Sequence, residues 1–162
     1  MISVQEYLST VYRPDCDYVD GQVLERNFGD ADHAWLLGAL ASYLHVRRKE
    51  WNIAVLIGIR IRVQPERFRV PDIGVVLGRP DEQILTKPPF LCIEILSPED
   101  RWSSVEARIK DFIAMGVSYV WVLDPQTKAA FIETPADGLR EVNDGFLRTE
   151  NPSFIVPLSE FF

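Results

Sequence analysis

Two acidic residues of this chain stand in oily company, and chemistry is expected where they do. Asp72 opens the run Ile73-Gly74-Val75-Val76-Leu77, and Glu94 sits inside Leu91-Cys92-Ile93-Glu94-Ile95-Leu96. Both runs are nearly all apolar, as in strands covered on both faces. Side chains alternate along a strand, so Glu94 shares a face with Cys92 and Leu96. An ionised carboxylate there is costly unless a cation or a strong hydrogen-bond partner compensates. Two such acids on successive strands, close enough to share one cation, would remove that cost. Each acid alone has a structural alternative: Asp72 would end a turn after Pro71, and Glu94 would pair with a core arginine. Together they fit phosphodiester hydrolysis. Mg²⁺ is held by one or two carboxylates plus water and substrate oxygens. Such an ion, or Mn²⁺, polarises a phosphate and lowers the pKa of a bound water, which becomes the nucleophile.

The elements that must position these acids can be read from periodicity and caps. Ser3-Val4-Gln5-Glu6 fits a capping box opening a short helix to about Thr10. Tyr18 to Arg26 reads as a strand or hairpin turning at Asp20-Gly21. Asp30 to Glu50 is the first long helix, with a stripe of Leu37, Leu40, Ala41 and Leu44 and with His33 at the head of that stripe. Three strands follow: Ile53 to Val63, interrupted at Gly58; Val70 to Leu77; and Phe90 to Leu96. Ser103-Ser104-Val105-Glu106 fits a second capping box, whose helix ends at Gly116. Val117 to Leu123 is a further buried strand. Beyond it the chain reads as antiparallel strands at 129–134, 139–143 and 146–149, with Asp144-Gly145 as a turn and an apolar tail at 154–162 that packs down. The core order is helix, three strands, helix, strand: α/β with a mixed sheet.

With 162 residues, no internal repeat and no long linker, the chain is expected to form one domain over residues 1–162. A hydrophobic share of 47% with 25% charged residues excludes a disordered chain. No apolar run approaches a membrane span, and the start carries no secretory signal pattern, so the expectation is a cytoplasmic protein without a membrane partner. Cys16 and Cys92 provide neither a disulfide framework nor a metal-ligand spacing. A net charge of −7 argues against a protein that coats nucleic acid, though not against an enzyme with a locally basic groove.

Several stretches together resemble one known family. They are Asp17-Tyr18-Val19-Asp20-Gly21, His33 at the long-helix start, Arg69-Val70-Pro71-Asp72-Ile73, Ile93-Glu94-Ile95-Leu96-Ser97-Pro98, and Gly116 to Pro125. In this order the chain resembles the Uma-two family of restriction-endonuclease-like proteins, within the PD-(D/E)XK nuclease superfamily. The resemblance implies a restriction-endonuclease-like αβββαβ core followed by C-terminal β-hairpins, with Asp72 and Glu94 as metal ligands. It also implies Asp17 as an accessory acid. The superfamily places Lys two residues after the strand acid, where this chain has Leu96. The family often supplies its lysine from the next helix, and Arg108 stands at the aligned position. At about 100° per residue, Arg108 lies roughly 75° from the centre of the Val105, Ile109, Phe112 and Ile113 stripe, and Lys110 about 125° away. Arg108 is therefore expected to lean toward the site and Lys110 to face water.

His33 is expected either to contact a substrate phosphate or a metal-bound water, or to serve as a satisfied core histidine. Glu106 is explained as a cap, and Glu99 and Asp100 as turn acids at the cleft edge. Arg60, Arg62, Arg67, Arg69 and Arg101 surround strand ends and could meet a nucleic-acid backbone. The sequence thus predicts a Mg²⁺- or Mn²⁺-dependent endonuclease acting on DNA. The rival is a family member without catalysis that serves as a nucleic-acid- or protein-binding module; a third reading is a hydrolase of a small phosphate ester. The C-terminal hairpins and apolar tail suggest a homodimer.

Overall fold

The computed structural model describes residues 1–27 and 29–162. Ser3 caps α1 (Val4–Leu8), its hydroxyl accepting from the Glu6 amide. β1 (Asp17–Val19) and β2 (Gln22–Leu24) form the expected hairpin through Asp20-Gly21. Asp30 caps α2 (Ala31–Val46) by accepting from the His33 amide at 2.9 Å. The predicted helix to Glu50 is broken at Arg47, whose amide turns back to Leu44 O and whose guanidinium lies 3.5 Å from the Tyr43 ring centre. A short α3 (Arg48–Trp51) follows, closed by Asn52 in the left-handed region. The buried stripe of α2 is His33, Leu36, Leu40, Ala41 and Leu44; Leu36, not Leu37, takes the fully buried place.

Gly58, at φ +70°, ends β3 (Ile53–Ile57) and lets the chain leave its sheet. β4 (Ile61–Gln64) and β5 (Arg67–Arg69) then pair in a different sheet, ordered β2-β1-β5-β4. The strand expected from Val70 starts later, as β6 (Ile73–Leu77). Pro71 has no amide to give a ladder, and the Val70 amide is taken by Asp17 Oδ1 at 2.9 Å. β7 (Leu91–Ile95) is buried at every residue.

The second helix also differs from expectation. α4 (Trp102–Met115) begins at Arg101, with no side-chain cap, and Ser103 and Ser104 lie in its first turn. The Asp100 carboxylate already closes the preceding turn by accepting from the Ser97 amide and Asn27 Nδ2, so backbone bonding onto Arg101 O starts the helix two residues early. Glu106 is accordingly not a cap; it pairs with Lys110 across one exposed turn. Gly116, at φ +110°, ends the helix as predicted.

β8 (Tyr119–Asp124), β9 (Ala129–Thr134) and β10 (Gly138–Glu141) complete a six-stranded sheet, β10-β9-β8-β7-β6-β3. Only the β7–β8 pair is parallel, joined by α4 as crossover; the sheet is mixed. The Asp144-Gly145 turn does not join β10 to a sheet partner. Instead β11 (Phe146–Arg148) pairs with β12 (Ile155–Pro157). Alternation along β7 and β8 sorts two cores. Leu91, Ile93, Ile95 and Trp121 meet α2, while Cys92, Val120 and Val122 meet Val105, Ile109 and Phe112 of α4. The tail's Phe154, Val156 and Phe161 are buried in the α2 core, as expected of a segment that packs down, while Phe146 and Ile155 stay exposed. Among the described residues no helix is long and apolar enough to cross a membrane.

Candidate functional site

Asp72 sits where the chain crosses from β5 to β6, and Glu94 lies one strand over on β7. Ile73 pairs with Ile93, so the two acids stand beside each other at the same end of the sheet. Asp72 is 2% exposed and Glu94 3%. Asp72 is anchored by one oxygen: Oδ2 accepts from the Ile95 amide at 2.7 Å. Its other oxygen faces inward, 3.3 Å from His33 Nε2 and 3.5 Å from Arg26 Nη2. That same Arg26 nitrogen donates to Glu94 Oε2 at 3.1 Å. The two carboxylates therefore stand on one nitrogen of Arg26, and for Glu94 the structural alternative, a pair with a core arginine, is what the structure shows.

Arg108 holds the opposite side of Glu94. From α4, its Nη2 donates to Glu94 Oε1 at 2.7 Å and to the Val70 carbonyl at 2.9 Å, and its Nη1 donates to Asp17 Oδ2. The helical-wheel expectation holds: Arg108 is buried and turned to the acids, while the Lys110 side chain is 72% exposed. Asp17, on β1, also accepts from Arg69 Nη1 at 3.2 Å and from the Val70 amide. It ties the smaller sheet to the site rather than facing Asp72.

The sequence reading missed two members. Arg26 lies just past β2, at the end of the predicted hairpin. Asp111 accepts from Arg69 Nε at 2.7 Å and from Arg67 Nη1 at 2.9 Å. A signal for Asp111 existed: an acid one turn beyond Arg108, between the buried Ile109 and Phe112, needs a cation partner. Asp17, Asp72, Glu94 and Asp111 thus meet Arg26, Arg67, Arg69 and Arg108 in one connected cluster.

Electrostatics follow from burial and these neighbours. Burial opposes charge on Asp72, but His33 and Arg26 beside it outweigh that and hold its pKa below the ordinary value. Burial likewise opposes charge on His33, and the adjacent Asp72 carboxylate reverses the balance, raising the imidazole pKa. Glu94 goes the other way: burial dominates over Arg108 and Arg26 and lifts its pKa. Burial would lower the pKa of Arg108, yet Asp17 and Glu94 raise it, so Arg108 remains a cation that cannot accept a proton.

The cluster is open to water on one side. A cleft of about 560 Å³ is lined by Asp17, Arg26, Arg69, Glu94, Leu96 and Arg108, with Glu99, Asp100 and Arg101 at its rim. Four of the five arginines that could meet a nucleic-acid backbone are engaged within the chain: Arg60 by Asp15, Arg62 by the Pro65 carbonyl, and Arg67 and Arg69 by Asp111. Arg62 and Arg101 are exposed, and Arg101 lines the cleft. Among the described residues no three His, Cys, Asp or Glu side chains gather into a metal cage.

Comparisons with known proteins bear on the fold and the family. No curated relative matches the chain. A crystal structure of "a putative nuclease belonging to DUF820" from Anabaena variabilis superposes with a TM-score of 0.85 at 20% identity, over 100% of this chain and 98% of that one, which shows a shared fold. The Uma2 family, described as "Putative restriction endonuclease", matches residues 4–157, and the chain belongs to that family.

Proposed function

We propose that the protein is a divalent-metal-dependent endonuclease that hydrolyses DNA, with Asp72 and Glu94 as metal ligands. The observation that carries this reading is the convergence of the two carboxylates on one nitrogen of Arg26, with Glu94 at the wall of an open cleft. Asp72 Oδ1 is buried and held only loosely, 3.3 Å from His33 Nε2 and 3.5 Å from Arg26 Nη2, beside Glu94 Oε2. Two carboxylate oxygens without a protein cage suit Mg²⁺ or Mn²⁺, which keep waters and take substrate oxygens. When bound, such an ion supplies Lewis-acid polarisation of the phosphate and a more acidic water.

The chain's own groups would do the rest. The Ile95 amide and His33 fix the Asp72 carboxylate from two sides. Arg108 fixes Glu94 and, as a permanent cation near the reacting phosphate, stabilises developing negative charge. It is a charge stabiliser and not a base. Asp17 orients Arg108. The cleft and the exposed Arg101 receive the nucleic-acid backbone.

Purified protein is expected to nick supercoiled plasmid with Mg²⁺ or Mn²⁺, and Asp72→Ala is expected to lower that rate by at least about 100-fold. Equal nicking by the Asp72→Ala protein would refute the assignment.

A second reading is favoured by one observation: each of the site acids Asp17, Asp72 and Glu94 already meets an arginine, and Arg108 stands where the family has lysine. A protein so neutralised would bind nucleic acid or a protein partner without cutting. Retention of DNA across metals with no strand scission would decide for it.

A further inference from the structure

The two arginines that flank Glu94 are held very differently. Arg108 projects from the interior of a 14-residue helix and spreads its donors over Glu94, Asp17 and the Val70 carbonyl. It has no route out. Arg26 projects from the short segment after β2, which is an outer strand of its sheet, and no helix or ladder fixes residues 25–27. Its side chain, 10% exposed, lies along the cleft wall beside Leu24, Glu25 and Asn27, donates Nη1 to the Val70 carbonyl that Arg108 also bonds, and reaches down to the two carboxylates. Swinging it into the cleft leaves every strand and helix pairing intact and gives up side-chain bonds, among them the one to the Val70 carbonyl.

A divalent ion and the Arg26 guanidinium would compete for the same two oxygens. Nη2 stands 3.5 Å from Asp72 Oδ1 and 3.1 Å from Glu94 Oε2. Two cations cannot both occupy that point, and repulsion inside a poorly hydrated site is strong. The guanidinium fork is also matched to phosphate, which it can bind through two parallel N–H donors. A phosphodiester lying in the cleft would offer Arg26 an anion within reach of its swing, beside the position it leaves.

We infer that Arg26 is a substrate-binding residue stored on the metal ligands: a nucleic-acid phosphate in the cleft draws it off Asp72 and Glu94, and the cation position becomes available as the phosphate arrives. Metal and nucleic acid then bind cooperatively, each improving the affinity of the other by the same factor. This rests on the metal-dependent reading proposed above and adds an order of events to it. Metal alone meets a neutralised pair of carboxylates; metal with a bound phosphate meets a vacated one.

Mn²⁺ binding measured by calorimetry, with no nucleic acid present, tests the storage. Arg26→Gln is expected to bind Mn²⁺ about tenfold more tightly than the unmodified protein. Arg26→Lys, which keeps the charge, is expected to stay within about twofold of it, an outcome that a merely structural role for the side chain would not give. A second arm needs no variant. Mn²⁺ affinity of the unmodified protein is measured with a cleavage-resistant phosphorothioate duplex, and Mn²⁺ bound by the duplex alone is subtracted. A gain of about fivefold or more supports the proposal. If the unmodified protein binds Mn²⁺, and neither Arg26→Gln nor the duplex improves it, the storage role is overturned while the metal site stands. If Mn²⁺ binds under none of these conditions, the metal reading and the storage role fall together.

Discussion

On the α2 side of β7, Leu91, Ile93 and Ile95 are set among Leu36, Leu40, Leu44 and Trp121, in hydrocarbon packing without a charge. On the α4 side Cys92 begins the same way against Val105 and Ile109, and then Glu94 meets two arginines and a carboxylate neighbour. One residue step along a strand separates the two regimes. The apolar face gains stability from burial at about 25 cal/mol per Å² and needs only shape to be right. The ionic face gains little net stability, because desolvating each charge offsets most of the attraction it finds. What that face has instead is a set of fixed charges at the wall of a water-filled cleft. The sheet is held together by one side and made available for chemistry on the other.

The difference can be broken deliberately. Arg108→Met should have the largest effect on stability, about 3–5 kcal/mol in urea unfolding near neutral pH, because Glu94 and Asp17 lose their shared cation inside the fold. The loss should shrink on acidification. The pKa of Glu94 is already raised by burial, so its ionised form costs folding energy above the ordinary carboxylate pKa of about 4.3. Removing Arg108 lifts that pKa further, and the added cost disappears as pH falls through the raised value and below the unfolded one. A deficit that stayed constant down to about pH 4 would show that packing of the arginine stem, not charge, is what was lost.

Ile93→Ala, one residue from Glu94 but facing α2, should cost about 2–5 kcal/mol as a cavity in a packed core. That deficit should be flat with pH, since no titrating group touches the removed atoms. Lys110→Ala closes the series on α4, two residues from Arg108. It should change stability by no more than about 0.5 kcal/mol, since Lys110 is exposed and its pair with Glu106 is a solvated one. A Lys110 effect as large as that of Arg108 would undo the distinction between the buried and solvent faces of the helix.

Much of this was legible from residue pattern. Asp72 and Glu94 were conspicuous because a carboxylate in an apolar strand demands a partner, and local chemistry is enough to raise that demand. The orientation of Arg108 against Lys110 followed from helical period alone. The start at Ser3 and the stop at Gly116 followed from caps, whereas Gly58, expected only to interrupt one strand from Ile53 to Val63, divides it between two sheets. The start of α4 was misjudged because a capping box is a local motif, and Asp100 had already closed the turn before it through Asn27, a residue 73 positions away.

The identity of the partners was not legible in the same way. Arg26 is one charged residue among several after a hairpin, and nothing near it in sequence marks it as the side chain that bridges Asp72, 46 positions on, and Glu94, 68 positions on. Asp17 and Asp111 reach the cluster only because β1 pairs with β5 and α4 packs beside β4. The sequence determined that two acids would be buried and therefore need positive charge, since desolvation is a property of the residue and its strand. Only the tertiary structure decided which cation answers that need, because a guanidinium is placed by whichever elements happen to pack around it.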